Sequence, residues 1–177
     1  HWRLLHRLAC RIWRYFDDFV SEEENWLPPD NFQETPDPVI ASRTSPTNLS
    51  FGLGALLTAW DFGYLSTGTM IDRMTKMLDT MDRLERYRGH FYNWYDTRAL
   101  KPLPPRYVSS VDSGNLVAGL LLVRNGLLEL TRCPAVPPQV WDGLRDMLGV
   151  LREEAAQRQG GADLAKQIQE AQMLLVA

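Results

Sequence analysis

The run HFYNWYD at residues 90–96 is the best candidate for a ligand-binding segment, because it interleaves aromatic rings with imidazole, amide and carboxylate groups. Flat rings can cover the apolar C–H face of a pyranose, while carboxylates, amides and guanidinium groups bridge neighbouring hydroxyls. The run therefore predicts contacts with a polyhydroxylated ligand. Tyr92 and Trp94 are the candidates for the stacking rings.

The alternative is that this run is a loop plug, in which the side chains fill the interior of the loop and bind no ligand. Its rings would then pack as a satellite core, and Asp96 would cap a turn. Large rings are usually buried, so this alternative is favoured for Phe91 and Tyr95, while both interpretations stay open for Tyr92 and Trp94. His90, next to a glycine, is more typical of a hydrogen-bonded structural histidine than of a base.

Two charged residues lie close to the starts of apolar helical segments. Arg43 could hold a carboxylate or a sugar hydroxyl, or it could form a structural salt bridge to Asp96 or Asp112. Asp112, in VSSVDSGN, stands where a helix N-cap is expected, so capping is its default role and ligand binding is the alternative.

Two unusually long connections, residues 21–46 and 87–112, carry these candidates and are predicted to be ordered loops. Structureless loops beyond about 12–15 residues are uncommon in compact domains and are often functional. Each connection precedes an apolar helix, so both deliver their last residues to the same end of the fold, where backbone N–H groups are free. We predict that residues 43–48, 90–96 and 109–115 meet there, with Arg43 near Asp96 or Asp112.

Hydrophobic periodicity predicts six helices and no strand. Their expected bounds are residues 2–20, 47–62, 67–86, 113–130, 140–157 and 162–176. Amphipathic segments alternate with two segments, the second and fourth, that are small and apolar nearly all round and are expected to be buried. The alternation predicts an all-α fold of helical hairpins in two layers, with a free-standing helical bundle as the alternative.

Composition and motif content argue against several classes of function, namely nucleic-acid binding, membrane spanning, and cofactor or metal chemistry. The chain has 177 residues and a formal net charge of −3, which argues against a nucleic-acid partner. No apolar stretch approaches the ~20 residues that a membrane span needs. Neither nucleotide-binding nor metalloprotease motifs occur, so no cofactor and no metal are predicted. Cys10 and Cys133 are expected to be buried free thiols.

Four ordered motifs give the chain a family resemblance: WLPPDNFQE at 26–34, RTSPTN at 43–48, GHFYNWYDT at 89–97 and YVSSVDSGNL at 107–116. Together they resemble the cyclic β-1,2-glucan synthases, large bacterial inner-membrane enzymes with a middle, glycoamylase-like helical domain. The stretch NLSFGLGALLTAWDFG at residues 48–63 departs mildly from the family's usual helix.

The resemblance implies that residues 1–177 form either a single all-α domain or the N-terminal half of an (α/α)6 toroid that closes linear glucan into a ring by transglycosylation. It implies substrate-cleft roles and leaves the catalytic residues unassigned. The residues concerned are Arg43, Asn48, Tyr92, Asn93, Trp94, Asp96, Asp112 and Asn115. The implied partners are β-1,2-glucan and the remaining domains of a parent synthase.

By the same resemblance, the segment is expected to be soluble, inactive alone and located on the cytoplasmic side of the bacterial inner membrane within its parent. A homo-oligomer is expected in isolation. Two alternatives stay open: a non-catalytic carbohydrate-binding or scaffold module of the same synthase, and a helical protein-interaction domain.

Overall fold

The computed structural model describes residues 2–134 and 136–174, and these residues form six α-helices. The helices are α1 Trp2–Phe19, α2 Pro46–Asp61, α3 Thr67–Arg83, α4 Ser110–Leu130, α5 Gln139–Gln157 and α6 Ala162–Leu174. The prediction of an all-α fold is confirmed. The ends differ from the expected bounds by up to three residues, and residues 175–176 of the expected sixth helix lie outside the described part.

The core is organised around α2, which packs against α1, α3 and α4. Leu49, Leu53 and Leu56 of this helix are buried, as its apolar composition predicts. In addition, α1 packs against α5, and α5 packs against α6. Neighbouring helices in the chain therefore pair as α1–α2, α2–α3 and α5–α6, while α4 lies beside α2.

Methionines dominate the buried face of α3, where Met70, Met74, Met77 and Met81 recur at helical spacing. The opposite face carries charged residues, and one of them ties α3 to α1. The Arg73 Nη1 atom donates to Asp17 Oδ1 at 2.7 Å, with the Arg73 guanidinium 6.0 Å from the Trp13 ring centroid.

The expected burial of α4 is wrong for this chain. Only Leu116, Gly119 and Val123 of that helix are buried. Val117 and Leu121, on the other side, are 57% and 55% exposed. The helix is apolar nearly all round, but α2 covers only one of its faces.

The long connections are ordered by short antiparallel ladders, which the prediction of no strand missed. The strands are β1 Phe32–Gln33, β2 Val39–Ile40, β3 Arg43–Thr44, β4 Arg86–Tyr87, β5 His90–Phe91 and β6 Tyr95–Asp96. They pair as β1–β2, β3–β6 and β4–β5. Two-residue strands are too short to leave a period-2 hydrophobic signal.

Close backbone contact joins the α2–α3 turn to the start of α5. Gly63, with φ of 76°, lies against the backbone of Gln139 and Val140, and Gly143 lies against the carbonyl of Gly63. A methyl group on Gly143 would lie 2.6 Å from the Phe62 carbonyl oxygen and closer still to Gly63. The two segments approach this closely only because neither glycine has a Cβ atom.

The prediction that both cysteines are buried free thiols is confirmed for Cys10 and wrong for Cys133. Cys10 is buried and Cys133 is exposed, because Cys133 follows the end of α4. Burial raises the pKa of the Cys10 thiol. Among the helices in the described part of the chain, none is both long enough and apolar enough to cross a membrane.

Candidate functional site

The two long connections meet through the β3–β6 ladder. Arg43 stands opposite Asp96, and Thr44 stands opposite Tyr95. This pairing brings the end of the first connection against the aromatic run of the second. The predicted convergence of these segments, with Arg43 near Asp96, is confirmed.

The N-termini of α2 and α4 meet at the same place. The Thr47 hydroxyl donates to Asp112 Oδ1 at 2.6 Å and accepts from Asn115 Nδ2 at 3.0 Å. The exposed side chain of Asn115 therefore lies at the rim of the junction. Both helix starts face the converged loops, as their order in the chain predicts.

The N-caps of these helices are serines. The Ser45 hydroxyl accepts from the Asn48 backbone N–H at 3.2 Å, as expected for a residue just before the proline in the first turn. The Ser109 hydroxyl accepts from the Asp112 N–H at 3.2 Å. The predicted capping role of Asp112 is therefore wrong, since α4 begins earlier than expected and Asp112 lies within its first turn.

Asn93 is the centre of a buried hydrogen-bond network. In the orientation that satisfies its neighbours, its amide nitrogen donates to Asp112 Oδ2 at 2.9 Å, and its oxygen accepts from the Tyr107 hydroxyl and from Trp94 Nε1, both at 2.7 Å. Asn93 is only 6% exposed. Its amide is thus occupied in fixing its neighbours.

Trp94 remains half-buried beside Arg43. The Arg43 guanidinium carbon lies 4.7 Å from the Trp94 ring centroid, within cation–π range. Arg43 Nη2 donates to Asp30 Oδ2 at 2.9 Å, and Asn48 Nδ2 donates to Asp30 Oδ1 at 3.3 Å. The carboxylate that pairs with Arg43 is therefore Asp30, and the predicted salt bridge to Asp96 or Asp112 is wrong.

Asp96 and Tyr95 have the structural roles that the loop-plug interpretation predicts for them, namely closing a turn and packing in the interior. Asp96 Oδ1 accepts from the backbone N–H groups of Arg98 at 2.9 Å and Ala99 at 2.7 Å, which closes a turn. Tyr95 is 0% exposed, and its hydroxyl donates to the Glu85 carbonyl at 2.7 Å. Burial raises the pKa of Tyr95 to about 12, so the hydroxyl stays protonated and structural.

Tyr92 has a different set of neighbours from Arg43. Its ring is half-buried, and its nearest aromatic neighbours are Tyr95 at 6.4 Å and Tyr87 at 6.5 Å between centroids. With Tyr87 and Tyr107 it lines a separate pocket. Tyr107 also donates to Asn93 and so connects that pocket to the network.

Sequence reasoning missed the buried carboxylate that holds the two connections together. Glu24 is 1% exposed. Its Oε1 accepts from Ser42 Oγ at 2.9 Å and from Arg98 Nη2 at 2.8 Å, and its Oε2 accepts from the Thr97 hydroxyl. Glu24 is the last residue of the 3₁₀ helix Glu22–Glu24. A run of three glutamates ordinarily indicates a solvated surface, so no local signal marked it.

The site thus combines a half-open indole, a guanidinium with a 50% exposed side chain, carboxylates that keep acceptor capacity, and amides. These groups suit a polyhydroxylated ligand, since rings contact C–H faces while charged and amide groups bond hydroxyls. Asp30, Thr47 and Tyr107 join the site through hydrogen bonds and were not among the predicted residues.

Sequence comparison finds a curated relative. The chain is 47% identical over 150 residues to the protein named cyclic β-(1,2)-glucan synthase NdvB of Rhizobium meliloti (strain 1021). The match covers 84% of this chain and 5% of the relative, so the chain spans a small part of that protein's length. No family model matches. The resemblance to cyclic β-1,2-glucan synthases is confirmed.

Structural comparison finds distant neighbours. A putative glucoamylase from Bacteroides fragilis NCTC 9343 aligns with a TM-score of 0.48 and 19% identity over 92% of this chain and 33% of its own. The endo-β-1,2-glucanase from Chitinophaga pinensis, solved with sophorotriose and glucose, aligns with a TM-score of 0.45 and 16% identity over 92% and 34%.

Proposed function

Because the chain is related to a segment of a cyclic β-(1,2)-glucan synthase, we propose that it supplies one wall of a glucan-binding cleft in a larger enzyme of that kind. The Arg43–Trp94 pair, braced by Asp30 and Asn93, is the observation that carries this proposal. It offers a partly open ring beside a guanidinium whose side chain is half exposed. Pre-positioned aromatic and charged groups lower the ordering cost of binding.

The proposed roles follow from exposure and hydrogen bonding. Trp94 and Tyr92, both half-buried, are assigned to the C–H faces of glucose units. Arg43 and Asn115, which are exposed, are assigned to hydroxyl groups. Asp112 is assigned with them because each of its two oxygens accepts one internal hydrogen bond and keeps a second lone pair for a ligand. Asn48, Asn93 and Asp96 are committed to internal hydrogen bonds, so we assign them to positioning the other groups.

We further propose that the parent domain closes linear glucan into a ring, that it forms an (α/α)6 toroid with this segment as its first half, and that it lies on the cytoplasmic side of the inner membrane. In this proposal the segment contributes substrate contacts and the remaining domains contribute the chemistry. The apolar face of α4 supports an unfinished helical ring, since Val117 and Leu121 on that face are 57% and 55% exposed.

The test of the cleft is Trp94→Ala in the complete parent synthase, where the other walls of the cleft are present. Truncating a central aromatic anchor costs ~2 kcal/mol, so we expect about thirtyfold weaker binding of linear β-1,2-glucan by isothermal titration calorimetry. Trp141→Ala is the matched control, because Trp141 is an exposed tryptophan on α5, away from the site.

Unchanged glucan affinity in a folded Trp94→Ala variant would remove the ring from the cleft. If that variant unfolds, Arg43→Gln provides the second measurement. Arg43 is half exposed, so its loss should leave the fold intact and still weaken glucan binding. Glucan affinity that survives Arg43→Gln as well would refute the cleft.

The apolar face of α4 predicts self-association of the isolated chain. Val117, Leu121 and Leu122 are all more than half exposed, and a groove of about 700 Å³ between α1, α2 and α4 continues this face past Phe51. Exposed apolar patches commonly mark interaction surfaces. We expect light scattering to show a dimer or larger assembly.

Leu121→Glu should shift this assembly toward monomer. The matched control is Gln157→Glu, which adds the same charge at an exposed position near the end of α5. A monomer at high concentration in the unmodified chain would contradict the expectation.

A further inference from the structure

A second pocket of about 510 Å³ opens beside the Asn93 network. Its lining includes three tyrosines, two arginines and a histidine: Tyr87, Tyr92, Tyr107, Arg88, Arg106 and His90. The volume lies in the range typical of small-molecule sites. The Tyr107 hydroxyl donates to Asn93, so one wall of the pocket is fixed by the network that positions Trp94.

The backbone places Arg88 at the pocket against its conformational preference. The β4–β5 hairpin pairs Tyr87 with His90, and its two turn residues, Arg88 and Gly89, have φ of 49° and 86°. This is the type I′ arrangement, which favours Asn or Gly at both positions. An arginine in the left-handed region is costly, and this arginine places its guanidinium carbon 5.4 Å from the ring centroid of Tyr87, another residue of the pocket wall.

The charges of the pocket have one sign. Arg88 and Arg106 are cationic and His90 supplies an N–H donor. Among the described residues that line the pocket, none is Asp or Glu. Arg106 Nη1 pairs with Glu85 Oε1 at 3.4 Å, and both side chains of this pair are about half exposed. Such a pair is weak, so a ligand can displace Glu85 from Arg106.

We propose that this pocket binds an anionic group carried by a saccharide, of the phosphate-ester or carboxylate class. The guanidinium groups would hold the anion through charge-assisted hydrogen bonds, and the tyrosine rings would contact the sugar. The saccharide half of this assignment rests on the proposed function. The anionic half rests on the pocket alone.

The experiment titrates the full chain with glucose 6-phosphate, glucose and inorganic phosphate, each followed by calorimetry. Glucose 6-phosphate should bind at least about tenfold more tightly than either other compound, and added salt should weaken its binding because the two arginines are exposed. Equal affinity for glucose would overturn the anion site. Equal affinity for inorganic phosphate would overturn the saccharide assignment.

The variants Arg88→Asn and Arg106→Gln should each reduce glucose 6-phosphate affinity about tenfold. Asn tolerates the left-handed turn, so Arg88→Asn should keep the melting temperature. Arg124→Gln, which removes the same charge from an exposed position on α4, should change nothing. Affinity retained in both pocket variants would overturn the proposal.

Failure of this proposal is distinguishable from failure of the cleft. Neutral linear β-1,2-glucan reports on Trp94, whereas the affinity gained from the phosphate group reports on Arg88 and Arg106. A chain that binds glucan normally but does not distinguish glucose 6-phosphate from glucose would refute only the pocket.

Discussion

Replacing Glu24 with alanine should lower the free energy of unfolding by about 3 kcal/mol. The carboxylate is 1% exposed and accepts from Ser42, Arg98 and Thr97. Its loss leaves a cavity and leaves the Thr97 hydroxyl, which is fully buried, without its acceptor. Urea unfolding followed by circular dichroism measures the change.

The neighbouring glutamates supply the control. Glu22 and Glu23 belong to the same 3₁₀ helix as Glu24 and are exposed, so Glu23→Ala should stay within about 0.5 kcal/mol of the unmodified chain. Equal unfolding midpoints for Glu23→Ala and Glu24→Ala would show that the buried carboxylate does not stabilise the loops.

Gly143→Ala should destabilise the fold by about 3 kcal/mol. The added methyl group would overlap with the Gly63 carbonyl and would lie 2.6 Å from the Phe62 carbonyl oxygen. Both obstacles are backbone atoms, so no rotamer change relieves the contact. The start of α5 would have to move away from the α2–α3 turn, which we expect to appear as a lower unfolding midpoint in urea.

Gly149→Ala is the matched substitution in the same helix. Within the part of the chain that the structure describes, a Cβ at that position would meet only Gln172 Nε2 at 3.5 Å, which is ordinary contact. Because alanine has the better helix propensity, this variant should gain about 0.5–1 kcal/mol. A Gly143→Ala variant as stable as Gly149→Ala would contradict the close contact with Gly63.

Helix positions were predictable because the apolar spacing of α1, α3 and α5 repeats over many residues, so single errors average out. Burial of α4 was not predictable from the same data. The apolar composition of α4 predicts that other residues pack over it. Composition does not predict whether those residues belong to the segment 1–177. In the folded chain Val117 and Leu121 are exposed.

The site was predictable to the extent that it depends on chain order. Two connections that each precede an apolar helix must end on the same side, which brought Arg43 to the aromatic run. Individual partners were not predictable. Arg43 pairs with Asp30 and not with the predicted Asp96 or Asp112. The N-cap of α4 is Ser109 and not the predicted Asp112. Both outcomes depend on shifts of a few residues in loop geometry.

The β3–β6 ladder also bears on the order of folding. It joins segments on either side of α2 and α3, and the Asn25 side chain that supports it donates to the Thr97 carbonyl 72 residues away at 2.8 Å. Closing such long loops costs chain entropy before any contact is gained. We therefore expect α2 and α3 to dock first and the Arg43–Trp94 region to assemble last, as the slowest-forming part of the molecule.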